Sequence, residues 1–224
     1  MTFGDLVSDP AYIGAGAGVL TSLLWVLTSL FFTAAGRRIS ITAVNTLRIV
    51  IAIGLLGSTQ LIVYGTVLPV FVDPMQIVLL ALSGLIGLSL CDQALFTAFV
   101  DIGPRRALLF MTASPVFAAL FGAAFLDEFL NTVAFVGMGV TIGGILLVVL
   151  EKSDEPHTPG APDGSANKHF RRGVILAIIA AVSQAAGGMF SKLGIGVCWI
   201  EPDQQLSTLS ATLVRMIFGL FGMA

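Results

Sequence analysis

Two residues of opposite charge, Arg48 and Asp92, stand inside long apolar stretches of this sequence, and a second arginine, Arg215, stands inside another. A charge in apolar surroundings is costly unless it is paired. The chemistry open to these residues is therefore an ion pair, a polar cavity, a proton-linked carboxylate or a contact to a solute. Arg48 lies about five residues into its stretch and Asp92 some eight residues from the end of its own, so at about 1.5 Å per residue both reach similar depths. A structural reading stands beside this one: Arg48 snorkels to lipid headgroups and Asp92 braces a helix bundle. Asn45, Gln60, Gln93 and Gln184 add uncharged polar groups, which line a cavity or bond helix to helix. Trp25 is a candidate pocket wall, and Pro115 a candidate helix break beside a site. Glu128, after Asp127 at the end of an apolar run, is a candidate structural or gating residue.

Other chemistries lack their residues. There is no phosphate-binding glycine loop, nucleophile elbow or zinc constellation, so no catalytic residue, metal ligand or cofactor is assigned. Cys91 and Cys198 are too few and too scattered for a disulfide framework or a thiolate metal site. His157 and His169 fall in a polar stretch and read as solvated. A net charge of -2 without a basic patch argues against nucleic acid as a partner.

The elements that must position these residues are membrane helices. Of the 224 residues, 56% are hydrophobic and 11% charged, against about 25% charged in a typical soluble domain. A chain of this size must still wet its surface, so the surrounding solvent is a lipid bilayer. Apolar segments run over about 13–33, 43–68, 75–100, 107–126, 133–150 and 173–193, and another starts near 206. Most have the roughly 20 residues a bilayer crossing needs. Glycines at 84 and 87, 139 and 143, and 187 and 188 read as positions of close helix packing. The last apolar run reaches Ala224 without a polar exit, which reads as part of a longer protein.

Between the fifth and sixth segments, residues 151–172 are charged, rich in Pro and Gly and without apolar periodicity, as in a linker. It divides the chain into 1–150, with five spans, and 173–224, the start of a second half. The second half echoes the first: Phe32-Thr33 matches Phe190-Ser191, Gly36 matches Gly194, and Thr46-Leu47-Arg48 matches Leu213-Val214-Arg215. Five spans is an odd number, so the halves would enter the membrane in opposite senses, as inverted repeats do in secondary transporters. The expected fold is an all-α polytopic transmembrane bundle of two inverted five-helix repeats, the second truncated. Basic residues lie in the connections after spans one and three and in 151–172; the other connections and the N-terminal tail have none. The basic side is expected to be cytoplasmic and the N-terminus outside.

The chain resembles the EamA-type drug/metabolite transporters. The likeness rests on Asp92-Gln93-Ala94-Leu95-Phe96, on Ile102 to Ala107, on Ser114-Pro115-Val116-Phe117, on Phe125-Leu126-Asp127-Glu128 and on the glycines from Gly137 to Gly144. The family's early arginine in the second helix falls on Arg48, its fourth-helix proline on Pro115 and its glutamate on Glu128. Asp127 stands where many relatives have glycine. The resemblance implies ten helices in two inverted halves around a central cavity, and export or exchange of small metabolites, amino acids or drugs. It also implies two cytoplasmic termini, against the charge count.

The resulting expectation is a multi-pass transporter of the plasma (inner) membrane for a small organic solute, working by alternating access. Trp25, Asn45, Arg48, Asp92, Gln93, Pro115, Gln184 and Arg215 are the candidates for substrate or coupling-ion contact. Its partners would be that solute and the bilayer; homo-oligomerisation is left open. A non-transporting membrane scaffold or assembly partner fits the same composition.

Overall fold

A computed structural model describes residues 10–36, 38–69, 71, 73–125, 131–150 and 163–223. Among them there is no strand; every regular element is helical. Helix α1 covers Pro10–Gly36 and α2 Ile41–Tyr64. The third span is built from α3 (Pro74–Gly84), a π-helical stretch (Leu85–Leu90) and α4 (Cys91–Ile102). The fourth is α5 (Pro104–Met111) followed by α6 (Ser114–Phe125). Then come α7 (Thr132–Leu150), α8 (Asp163–Ile195), a 3₁₀ turn (Pro202–Gln204) and α9 (Thr208–Phe221).

Five of these spans are long and apolar enough to cross a membrane: Gly14–Gly36, Ile41–Tyr64, Pro74–Ile102, Pro104–Phe125 and Lys168–Ile195. The stretch Thr132–Ile145 within α7, and α9 itself, are shorter apolar helices. The chain is therefore an all-α, multi-pass integral membrane protein.

Local sequence explains where the helices begin and end. Gly65, at φ 71°, closes α2 with a left-handed residue, so that helix stops short of the apolar Val67 and Leu68. Asp73 caps α3 in a reciprocal box with Gln76, and Pro74 fills the first helical position, where no amide donor is missed. Gly103, at φ 80°, makes the sharp turn between α4 and α5. Helix α8 begins at Asp163, inside the stretch whose composition suggests a linker throughout. The prolines of that stretch all precede Asp163, and Ala166, Lys168, Arg171 and Arg172 are good helix formers.

Span three and α8 form the centre. Leu95, Phe99, Ala177, Ala180 and Ala181 are at most 1% exposed, while α1, α2 and α7 turn most of their apolar side chains outward, as lipid-facing helices do. Small residues make the contact. Ser83 Oγ donates to the carbonyl of Gly187 at 2.5 Å, and a Cβ added at Gly87 would come within 2.8 Å of the Gly187 Cα. A Cβ at Gly84 would collide with the backbone of Arg215. Span three thus meets α8 on one side and α9 on another, backbone against backbone. The remaining glycine expectations fail: at Gly139, Gly143 and Gly188 a Cβ would meet nothing within 4 Å.

Both ends of the seam are tied. At one, Asp101 of α4 lies 3.4 Å from Arg172 and 3.7 Å from His169 of α8, whose imidazole stays largely exposed to solvent. A Cβ at Gly36 would lie 3.2 Å from Val100, which puts the connection carrying Arg38 at this same end. At the other end, Ser210 of α9 donates to Gln60 of α2 at 3.1 Å, and Leu206 pairs its amide with Ile195.

Glycine at the seam has a testable consequence. Gly87→Leu is expected to destabilise the protein by about 1–3 kcal/mol through overpacking, whereas Gly139→Ala should stay within about 0.5 kcal/mol. Denaturant titration of the two variants in detergent micelles, followed by circular dichroism, measures the difference.

Candidate functional site

The polar centre is assembled by the first turns of α2 and the first turn of α4. Asn45, Arg48 and Ile49 lie on the buried side of α2, the spacing of one helix face. On span three, the π stretch carries one extra residue per turn: the Cys91 amide reaches back to the Ile86 carbonyl. This rotates the α4 side chains relative to those of α3 and brings Asp92 round to α2. Arg48 Nη2 donates to Asp92 Oδ2 in a direct ion pair. The Asp92 side chain is 7% exposed and that of Arg48 27%, so the carboxylate is buried and the guanidinium reaches partly into the open.

Two aromatic rings hold the guanidinium. Its carbon lies 5.7 Å from the ring centre of Phe32 and 5.4 Å from that of Phe96. The rings stack on each other at 4.3 Å. Cation–π attraction strengthens where water is excluded, so the pair is braced by charge and by ring. Asn45 is wholly buried. Its amide sits beside the Asp92 carboxylate without a hydrogen bond of good geometry, which leaves donor and acceptor capacity unused.

The other candidates distribute around this centre. Gln93 turns to α2 and donates to Thr42 at 3.1 Å, a helix-to-helix bond. Gln184 accepts from the Cys91 thiol at 3.4 Å and is otherwise exposed on α8. Trp25 lines a narrow surface crevice with Thr28, Ser29, Phe32, Phe96 and Phe99, too tight to hold a solute as it stands; it shares two rings with the Arg48 cradle. Pro115 does mark a break in span four, since α5 stops at Met111 and α6 starts at Ser114. It occupies the second position of α6, where proline is tolerated, and its side chain is exposed. Arg215 is separate, on α9, with Nη1 donating to Ser191 Oγ at 3.2 Å. Glu128 and Asp127 lie outside the described residues.

Residue types alone do not single out Phe32, Phe96 or Thr42 among so many apolar and hydroxyl side chains. The available signal was spacing: Phe96 follows Asp92 by one helical turn, on the same face. Among the described residues no cluster of metal-ligating side chains occurs.

Breaking the pair from one side should cost more than removing both charges. Arg48→Met leaves a buried carboxylate alone and is expected to lose about 3 kcal/mol of stability, whereas Arg48→Met with Asp92→Leu should lose less. Thermal unfolding of the detergent-solubilised variants reads this directly.

Among known proteins, the sequence model of the EamA-like transporter family aligns with residues 12–150. No curated protein and no solved structure matches the chain.

Proposed function

Because the chain belongs to the EamA-like transporter family, and so is a membrane transporter of the drug/metabolite superfamily, we propose that it moves a small organic metabolite, amino acid or drug by alternating access. The observation that carries this reading is the Arg48–Asp92 pair, inside the bundle and cradled by Phe32 and Phe96. Ionisable residues at such depth are expensive, and a substrate or proton path is their usual reason. Unused hydrogen-bonding capacity on Asn45 beside the pair suits a polar solute. Asp92 would contact the solute or exchange a proton, and Arg48 would hold it in register. Trp25, Gln93 and Gln184 would border the path.

The proposed architecture is a pair of inverted repeats. Arg48 is the eighth residue of α2 and Arg215 the eighth of α9. The helices start at opposite ends of the bundle, since Gln60 near the end of α2 meets Ser210 near the start of α9. Arg48 lies over Phe32 and Arg215 bonds Ser191, neighbouring positions of the matched pairs Phe32-Thr33 and Phe190-Ser191. Residues 1–150 would be one repeat and 173–224 the beginning of the next, with the end bearing Arg38, Arg105, Arg106 and Arg172 facing the cytoplasm. The plasma membrane is the proposed location.

The test is an efflux screen. Cells expressing the full-length protein, or its Asp92→Asn variant at equal membrane level, are followed for export of a panel of metabolites, amino acids and dyes. At least one solute is expected to leave faster with the unmodified protein and at least tenfold slower with the variant. Equal efflux of every solute from both cell lines and from an empty-vector control would remove the transporter reading of this site.

A further inference from the structure

Both polar ties of the seam join residues of 1–150 to α8 or α9. At one end Asp101 meets Arg172 and His169 of α8, and Arg106 of α5 lies over the Phe170 ring of α8, 5.8 Å from its centre. At the other end Ser207 Oγ donates to Ser210 Oγ at 2.8 Å, and Ser210 Oγ donates in turn to Gln60 of α2 at 3.1 Å. Gln60 and Ser210 are buried, and the Asp101 side chain is 8% exposed.

Backbone contact closes the seam at the same two ends. A Cβ at Gly173 would collide with the Ile102 side chain and lie 2.9 Å from Asp101 Cβ, and one at Gly194 would lie 2.8 Å from Leu80 Cγ. Between them, near Gly87 and Gly187, Cys91 is 1% exposed and its thiol donates to the Ala180 carbonyl at 3.3 Å. The conformation described is therefore shut at both ends, with the polar centre between. Gly87 is the fourteenth of the 29 residues of Pro74–Ile102, so the middle of the seam lies about 20 Å from either end. With one end held as a pivot, a tilt of about 15° would part span three and α8 by about 5 Å at that depth. The end ties suit such a cycle, because each exchanges its partner for water on opening and so holds its end only modestly.

We propose that Asp101–Arg172 and Gln60–Ser210 are the inner and outer latches of the transport path. Each keeps its own end of the seam shut, and the latch that stays made is the pivot on which the other end opens. The proposal rests on the transporter reading above and names the contacts that alternate in it.

The chain's own thiols can report the opening. The full-length protein is placed in sealed membrane vesicles of both orientations and treated with a membrane-impermeant sulfonated maleimide. In one form Cys198 is the only cysteine kept, and in the other Cys91, all others being replaced by serine. Cys198 is exposed and follows the α8 end that carries Gly194, so its labelling marks the side of the Gln60 latch. Cys91 then reports the middle of the seam, and with both latches unmodified it should label slowly from either side. Asp101→Ala should raise its labelling rate roughly tenfold from the Asp101 side alone, and Gln60→Leu by a similar factor from the Cys198 side alone; tenfold corresponds to about 1.4 kcal/mol in the closed-to-open ratio. Asp101→Arg combined with Arg172→Asp restores an opposite pair and should bring the rate back down. Increases from both sides alike, an increase from the wrong side, unchanged labelling in every variant, or a swapped pair that labels as fast as Asp101→Ala would overturn the latches and leave the transporter. The efflux screen is the separate readout: if no solute is exported, the transporter reading falls and the latches' part in transport falls with it.

Discussion

A charge inside a bilayer must find its opposite within side-chain reach, and that constraint sets the arrangement around the middle of span three. Asp92 needs Arg48, so α2 has to lie against α4 with the face carrying Asn45 and Arg48 turned inward. Arg48 in turn lies over the rings of Phe32 and Phe96, which draws the end of α1 into the same contact. Two helices that otherwise show apolar surface to lipid, α1 and α2, are thereby fixed in rotation against the buried α4. In a bilayer, where apolar surface provides little drive for helices to associate, such directional contacts decide register.

The second constraint is close approach. Gly84, Gly87 and Gly187, with the alanines of α8, let span three touch α8 and α9 at backbone distance. A seam of this kind holds by dispersion and by interhelical bonds such as Ser83 to Gly187, rather than by interlocked large side chains. Its two ends are tied by different chemistry, charge at Asp101 and amide–hydroxyl at Gln60. A smooth seam with polar ties at both ends suits the sliding that the proposed alternating access would require, because no bulky side chain has to leave its hole. The π stretch lies in the middle of this seam, and stretches of that kind are frequent at functional sites.

Much of this was legible in the sequence, and the reasons for the rest are physical. Apolar segments of bilayer length, broken by Gly65, by Pro74 and by Gly103-Pro104, gave away the helices. The pairing of Arg48 with Asp92 followed from their depths. Rotation about each helix axis did not, because most positions are apolar on every face and periodicity carries no signal there. Gly139 and Gly143 therefore looked as suited to close packing as Gly84 and Gly87, yet only the second pair meets a neighbouring backbone. Gln93 and Gln184 could not be separated by type, though one bonds α2 and the other a thiol. Pro115 does mark the interruption of span four, between α5 and α6. Residues 163–172 looked irregular because they are polar, and polarity alone does not prevent helix formation.

The dependence of the bundle on a single ion pair can be examined by exchanging its charges. Arg48→Asp and Asp92→Arg would each place two like charges together, and each is expected to lower the amount of protein inserted and its unfolding temperature. Combining them restores an opposite pair in the same place. Recovery of most of the lost unfolding temperature in the double variant is expected, short of the full value because the guanidinium no longer lies over Phe32 and Phe96. A double variant as unstable as the worse single one would contradict a pairing that organises the bundle.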